Sequence, residues 1–561
     1  MKDIILTIIL TLTCIKSNSS HATKSPKPIV YTIAGSDSGG GAGIQADLHT
    51  IHSFHCHGCS AITSLTSQNS MGVTDIHTPP SSFLESQLNT LYQDLPPTSI
   101  KIGMLGSMEV STTVGKFLQR IKEEHPSVFV VVDPVMISTS GHKLITDDVK
   151  QVMISNVFPY ADLITPNKFE AEELLGRPLH NFMDVEEGAK ELLKYGCSVL
   201  IKGGHPPESS EQNVIKTYAQ DYYLSEKEGV WLRVPKYNTE NTHGTGCTLS
   251  SSIASAYAIG EYARQNNELY FSGANKAITA LDACILAKAY VTAGIEAAVK
   301  LGDGPGPVAH TQFPTSHLPS LVLSPMKTSS LTFLPMKRKR RKECSHEVLG
   351  SILPVVDTIP WVERISTMKG ITDLQFRIKN IPSQSERISL IQQAAEICSR
   401  NSIRLWINDY WQDVLQVLQT HTVFGIHLGQ EDLQSCIHQN GLQQIHNANL
   451  ALGLSTHSYA ELAKSLNTDL IQRPSYISLG PIYDTTSKKV DFEAQGLETV
   501  RRWRGLVHED IPLVVIGGIN GVEDVRGVRE AGADCVAVIG AVVRSDVPED
   551  VVSQFLDVME S

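Results

Sequence analysis

Eight short apolar runs recur through the second half of this chain, and their spacing narrows its fold more than any other feature. They begin at Leu353 (LPVVD), Asp373 (DLQFRIK), Arg404 (RLWIND), Gly425 (GIHLG), Ala451 (ALGLST), Tyr476 (YISLGPI), Leu513 (LVVIGGI) and Cys535 (CVAVIGA), with helical stretches between them. Strands covered on both faces read as near-continuous apolar runs, and eight of them alternating with helices predict a (β/α)8 TIM barrel. Arg377, Lys379, Asn408, Asp409, Ser455 and Lys488 fall at or just after the carboxyl ends of their runs. In such a barrel that end is the catalytic face.

Two chemistries are visible there. Asp409 and Asp432, the latter in HLGQEDL, bring carboxylates from neighbouring strands, and with Arg377 and Lys379 they can fix a magnesium-bound diphosphate. Gly517-Gly518 and Ile539-Gly540 follow the last two strands, where barrels often carry a Gly-rich phosphate grip. A lone carboxylate is more simply a helix cap or a surface ion pair. Both carboxylates and both grips together point to an anion site.

The first half also alternates strands and helices. Pro28 to Gly35, Ser99 to Leu105, Val128 to Pro134 and Ser198 to Gly204 read as buried strands. The first runs into a loop with Gly39, Gly40, Gly41 and Gly43, and Gly41, Gly43 and Ala46 fit G-x-G-x-x-A. No acidic residue follows on a second strand at the distance a dinucleotide site needs, so that reading is set aside. Ser36, Asp37, Gln45 and Asp47 instead supply polar partners for a small molecule. Asp133 closes its strand where ligands gather in parallel sheets. Asn167 and Glu170, three apart at a helix start, are either oxygen ligands for hydrated magnesium or a capping box, and spacing cannot separate the two. Lys202 ends another strand and can serve as a point charge on a phosphate.

The stretch Asn241 to Thr248, NTHGTGCT, sets glycines and hydroxyls before an apolar helix expected from about Leu249. Close backbone approach and unpaired first-turn amides suit it to an anion. His52, His55, Cys56, His57 and Cys59 crowd together too closely for one tetrahedral zinc site, and a helix end entering a strand is the simpler reading.

The formal charge of -12 argues against a general nucleic-acid binder, and the ten scattered cysteines read as reduced thiols. Lys2 precedes an apolar run, IILTIILTLTCI, followed by Ser19-Ser20-His21-Ala22, which resembles a signal peptide and is too short to span a bilayer. From Thr311 the pattern breaks into a Pro-, Ser- and Thr-rich stretch that ends in six basic residues, Lys337 to Lys342, read as a solvated run in a linker. The expected organisation is a leader at 1–25, an α/β domain at 26–311, a linker at 312–346 and the barrel at 347–561.

The motifs AGSDSGGGAGIQADL, SLTSQNSMGV, KIGML, VVDPVM, TPNKFEAEEL, IKGGH, NTHGTGCTLSSSIA and GPVAH, in this order, resemble the hydroxymethylpyrimidine and phosphomethylpyrimidine kinases of thiamine biosynthesis. The resemblance implies a ribokinase-like αβα sandwich over about Pro28 to His310. It implies that the Gly35 loop, with Asp37 and Gln45, holds the pyrimidine against Met104, while Asp133, Asn167, Glu170 and Lys202 serve ATP and Mg2+. Gly244, Thr245, Gly246 and Cys247 would form the anion hole. Cys247 is there either a base, which requires a lowered pKa, or mainly a wall of the hole; a shared role is expected. Thr139 stands where relatives often carry lysine.

LPVVDTIPWVERI, LQFRIK, INDYW, GIHLGQEDL, LGLSTHS, RPSYISLGPIY, QGLE and VVIGGI resemble thiamine-phosphate synthase over about Val348 to Val543. That implies a pyrimidine diphosphate site from Gln375, Arg377, Lys379, Asn408, Ser455 and Lys488, with magnesium on Asp409 and Asp432. Thr485, Ser487, Gly517, Gly518, Ile539 and Gly540 would take the thiazole phosphate. Asp484 stands where the family usually has proline, adding negative charge near a phosphate. The partners implied are small-molecule substrates: hydroxymethylpyrimidine, its phosphates and thiazole phosphate. No nucleic acid and no membrane for the mature form are expected, and a homo-oligomer is. The compartment expected is cytosolic, or an organelle such as the plastid if the leader directs it. The rival reading is a pyridoxal-type kinase joined to a noncatalytic thiamine-binding barrel.

Overall fold

The computed structural model describes residues 27–136, 146–203, 218–266, 278–322, 331–338, 348–466, 471–484 and 494–561. The leader, Thr139, His205, Thr485, Ser487 and Lys488 lie outside these residues. Among the described residues no helix is long and apolar enough to cross a membrane.

The first half is built on a ten-stranded sheet. Its central strands, Ile29–Asp37, His57–Asn69, Ser99–Ile102, Phe129–Val132, Leu163–Ile164 and Ser198–Ile201, are parallel to their neighbours, and antiparallel strands extend both edges. Alternation along the strands explains why helices cover both faces. Val30 and Val131 point into one core with the helices Thr245–Asn266 and Ala280–Glu296. Tyr31, Val130 and Val132 point into the other, against Met108–Glu124 and Phe182–Leu192. The carboxyl ends of the parallel strands therefore gather along one rim, as the αβα expectation requires.

One boundary differs from the sequence reading. The helix expected from about Leu249 starts at Thr245. Gly244 has φ of 77°, a left-handed conformation that glycine adopts freely, and the chain turns into the helix directly after it. The hydroxyl-rich part of NTHGTGCT is thus the first turn of the helix itself.

The second half is a closed barrel of eight parallel strands, each beginning within a residue of the run predicted for it. Its interior is filled by Trp406 and Tyr476 among smaller side chains. Glycines make that possible: a Cβ on Gly425 would fall 2.6 Å from the Trp406 ring, and one on Gly453 would fall 2.2 Å from the Tyr476 ring. Large residues on some strands are matched by missing side chains on their neighbours.

The two halves touch. The strand Ser320–Val322, inside the segment expected as linker, pairs antiparallel with Gly229–Pro235 at the edge of the first sheet. Leu331–Thr332 pairs instead with Ile471–Arg473 beside the barrel. Phe313 packs on Phe54 at 5.3 Å between ring centroids, and the Arg502 guanidinium of the barrel lies 4.4 Å from the Phe313 centroid. Lys464 reaches Glu228 across the same seam at 2.7 Å. Burying a phenylalanine this way contributes about 1.5–3 kcal/mol.

Gly453→Ala should overpack the barrel against Tyr476 and cost about 1–3 kcal/mol. Urea titration followed by tryptophan fluorescence should show an earlier barrel transition; an unchanged midpoint would contradict the packing argument.

Two candidate active sites

In the first half, the side chains that carry charge converge where the strands end. Lys202 Nζ lies 2.7 Å from Asp133 Oδ1, and Ser250 Oγ donates to Asp133 Oδ2 at 3.4 Å. Asn167 and Glu170 form a reciprocal capping box: the Asn167 side chain accepts from the Glu170 N–H at 2.9 Å, and Glu170 Oε2 accepts from the Asn167 N–H at 2.7 Å. The capping alternative is therefore realised, yet Glu170 also feels Lys202 and Asp133. Burial pushes its carboxyl up to about 7, with Lys202 opposing and Asp133 adding to the rise. Burial disfavours the charge on Lys202, but Asp133 and Glu170 outweigh it and raise its pKa.

Gly246 brings the helix start onto this cluster. A Cβ there would lie 3.2 Å from Lys202 Nζ and 3.4 Å from Asp133 Oδ2. The amides of the first helical turn lack acceptors within the helix, and that of Thr245 is taken by the Thr242 carbonyl at 3.3 Å. Asp47, expected to meet a small molecule, is instead fully buried. It pairs with Lys101 at 2.7 Å and accepts from Thr32 Oγ1 at 2.6 Å.

The two Gly-rich loops close on each other. Asp37 accepts from the N–H groups of Gly39 and Ala42 at 2.8 and 2.9 Å and meets His243 Nε2 at 2.9 Å. Burial alone would raise Asp37, but His243 and the two amides hold its carboxyl below the usual range. Gln45 accepts from the Asp37 N–H at 3.0 Å and donates to Ser36 Oγ at 2.8 Å. Asp37 and Gln45 are thus engaged in holding the loops, while Gly35 packs against Met104: a Cβ on it would lie 3.4 Å from the sulfur.

Cys247 departs from the expectation of a lowered pKa. Burial pushes its thiol up to about 11; Lys101 and the Gly43 amide oppose this, and Asp47 and Asp133 reinforce it. Lys101 opposes the rise most strongly, but it is paired with Asp47 and does not reverse it.

In the barrel, Gln375 Nε2 donates to Asn408 Oδ1 at 3.2 Å, and Asn408 Nδ2 donates to Asp409 Oδ2. Asp409 has φ of 70°, uncommon for a residue with a side chain, and its N–H donates to the His427 carbonyl at 2.9 Å. Burial pushes the Asp409 carboxyl up to about 7, and the charge and hydrogen bond of Asp432 push the same way against the Gly429 amide and Arg377. The predicted carboxylate pair is therefore in contact, with Arg377 close enough to act on it. Lys379 is paired with Asp357 at 2.9 Å at the barrel mouth.

The sequence reading missed a buried chain beneath this site. Ser455 Oγ meets His427 Nε2 at 2.8 Å, and the Tyr476 hydroxyl meets His427 Nδ1 at 2.8 Å. It also missed Arg544, which lines a cavity of about 150 Å³ with Asp484, Gly517, Gly518, Asn520, Ile539 and Gly540. A Cβ on Gly540 would fall 2.1 Å from the Arg544 guanidinium, so the glycine leaves the space that the cation fills. The two predicted grips do meet in one cavity, and Asp484 lines it as well.

The family model for phosphomethylpyrimidine kinase matches residues 37–268, and that for thiamine monophosphate synthase matches residues 351–542. A probable thiamine biosynthetic bifunctional enzyme, chloroplastic, from Oryza sativa subsp. japonica is 31% identical over 90% of this chain and 83% of its own length. This chain belongs to the family of thiamine biosynthetic bifunctional enzymes. A second member of that bifunctional family, chloroplastic and from Arabidopsis thaliana, is 30% identical over 92% of this chain and 90% of its own. A hydroxymethylpyrimidine/phosphomethylpyrimidine kinase from Haemophilus influenzae is 38% identical over 50% of this chain and 96% of its own. The bifunctional enzyme thus joins a ribokinase-like kinase to a TIM-barrel synthase.

Because a Cβ on Gly244 would fall 1.8 Å from the Gly41 carbonyl oxygen, Gly244→Ala should force the two loops of the kinase apart. Kinase kcat/KM should drop at least about a hundredfold, the scale of losing one transition-state donor, with synthase activity retained. Kinetics of each half-reaction on the full-length variant check this, and wild-type kinase activity would refute the loop-on-loop account.

Proposed function

We propose that the first half phosphorylates hydroxymethylpyrimidine and then its monophosphate with ATP. The barrel joins the resulting diphosphate to thiazole phosphate, releasing diphosphate and thiamine phosphate. The bifunctional relatives favour this over a pyridoxal-type kinase joined to a noncatalytic thiamine-binding barrel. The observation that carries the kinase half is the seating of Gly246 over the Asp133–Lys202 pair.

In the kinase, Lys202 and the first-turn amides of Gly246 and Cys247 would meet the charge that develops on the transferring phosphoryl group. Asp133 and Glu170, beside Lys202, would offer magnesium the oxygen donors that it takes. Bound there, the ion would offset phosphate charge. Lys202 stays charged through its partners, so it needs no proton movement during the step.

In the barrel, Asp409 and Asp432 would hold a second magnesium ion. Their fit is chemical: two touching carboxylates, with Asp409 pushed up first by burial and further by Asp432. Among the described residues no cluster of three or more His, Cys, Asp or Glu could hold a metal, so most of that ion's ligands would be diphosphate and water oxygens. Arg377 stabilises the departing diphosphate as its C–O bond breaks, and the thiazole nitrogen captures the pyrimidinyl-methyl cation. The Gly517-Gly518 and Ile539-Gly540 cavity takes the thiazole phosphate, with Arg544 offsetting Asp484. The chloroplastic plant relatives favour the organellar reading of the leader over the cytosolic one.

A coupled assay with hydroxymethylpyrimidine, ATP and thiazole phosphate should yield thiamine phosphate. Asp409→Ala should stop that product while pyrimidine diphosphate still forms; no thiamine phosphate from the wild-type chain would defeat the reading. Since the Cys247 thiol is neutral near pH 7, Cys247→Ser should keep kinase kcat within about tenfold. Lys202→Ala should cost about a hundredfold or more. Equal losses in the two variants would make the thiol a base after all.

A further inference from the structure

Asp282 lies in the first turn of the helix Ala280–Glu296, in the kinase half, and is 1% exposed. Its Oδ2 accepts from the Thr279 N–H and hydroxyl at 3.0 and 2.7 Å, and its own N–H donates to Thr279 Oγ1 at 3.1 Å. That capping box needs only one carboxylate oxygen. The other, Oδ1, accepts from the backbone N–H of Ala460 in the barrel at 2.7 Å, and the Ser458 hydroxyl bonds the same carboxylate. Ala460 is in the first turn of the barrel helix Tyr459–Ser465, whose cap Ser458 accepts from the Glu461 N–H at 3.2 Å. A single buried carboxylate therefore serves helix ends in both domains.

The barrel helix follows the strand Ala451–Thr456, so its amino end stands at the catalytic face. The turn between them begins at Ser455. Up to His457 the ties of this turn come from the barrel. Ser455 Oγ meets His427, and the Ser455 carbonyl accepts from Gln430 Nε2 at 2.5 Å. Thr456 Oγ1 donates to the Ser478 carbonyl at 3.0 Å, and the His457 N–H donates to Glu461 Oε2 at 2.6 Å. At Ser458 and Ala460 the tie passes to Asp282.

We propose that Asp282 is a positioning residue acting across the domains: the kinase half fixes the turn that carries Ser455 and so sets the synthase's grip on pyrimidine diphosphate. Removing the carboxylate leaves the buried Ala460 N–H without its acceptor, which the turn can relieve only by moving towards water. The move is transmitted to Ser455 because the helix start and the strand end are joined by a few fully bonded residues. This inference rests on the reading of Ser455 as part of the diphosphate site.

The test uses the full-length chain and measures both half-reactions. Asp282→Ala should raise the synthase KM for pyrimidine diphosphate about tenfold, within the range of site-to-site couplings, and Asp282→Asn, which keeps one acceptor oxygen, should raise it by less. Synthase kcat and the kinase kcat/KM should not change. Thr279→Ala opens the same capping box but leaves the Asp282–Ala460 bond, and should leave the synthase KM alone. A flat KM in the Asp282 variants, or an equal rise in Thr279→Ala, overturns the proposal. Should Asp282→Ala not fold, the comparison of Asp282→Asn with Thr279→Ala decides in the same way. Ser455→Ala separates the two claims: a raised KM there beside flat Asp282 variants sinks the coupling alone, while a flat KM there removes the reading of Ser455 and the coupling with it.

Discussion

A Cβ on Gly244 would fall 1.8 Å from the carbonyl oxygen of Gly41, and one on Gly41 would fall 2.4 Å from the His243 ring. The two loops of the kinase can therefore close only with no side chain at either glycine. Everything downstream follows from that closure. His243 reaches Asp37, the helix starts immediately after Gly244, and Gly246 is lowered onto Lys202 and Asp133. The barrel repeats the device for a different purpose: Gly453 admits Tyr476 to the interior, and Tyr476 in turn holds His427 beneath Ser455.

Charge inside both centres is handled by pairing. An isolated buried ion is costly to desolvate, and a partner offsets most of that cost only when the geometry is close. Lys101 with Asp47 and Lys202 with Asp133 both meet at 2.7 Å. The first pair is sealed from solvent and braces the sheet beneath Cys247. The second opens towards the helix start, where an incoming phosphate can compete for the lysine. In the barrel, the carboxylates of Asp409 and Asp432 repel, and a cation or a proton relieves the repulsion.

The eight strands of the barrel were legible in the sequence because their evidence is local: each is a contiguous apolar run. Asn167 and Glu170 show where local evidence stops. Their spacing fitted both a cap and a metal pair, and only the approach of Lys202 and Asp133 from other strands shows that the cap also belongs to the charged centre. Lys101, His243, His427, Tyr476 and Arg544 act through partners far away in the chain, so no periodicity marks them. His243 stood inside a recognised motif, and its histidine was the available signal. The helix start at Thr245 was placed late because Thr, Gly and Cys are weak helix formers, while the backbone turn at Gly244 overrides their preference.

The strand Ser320–Val322 lies beyond the matched kinase region and before the matched barrel, yet it forms the outermost strand of the kinase sheet. Without it, Gly229–Pro235 would present an open row of amide and carbonyl groups, with the apolar Val230, Trp231 and Leu232 alongside, to any strand that met it. The stretch that joins the two enzymes thus covers that row and completes the sheet of one of them. Fusion here finishes a fold as well as bringing two activities together.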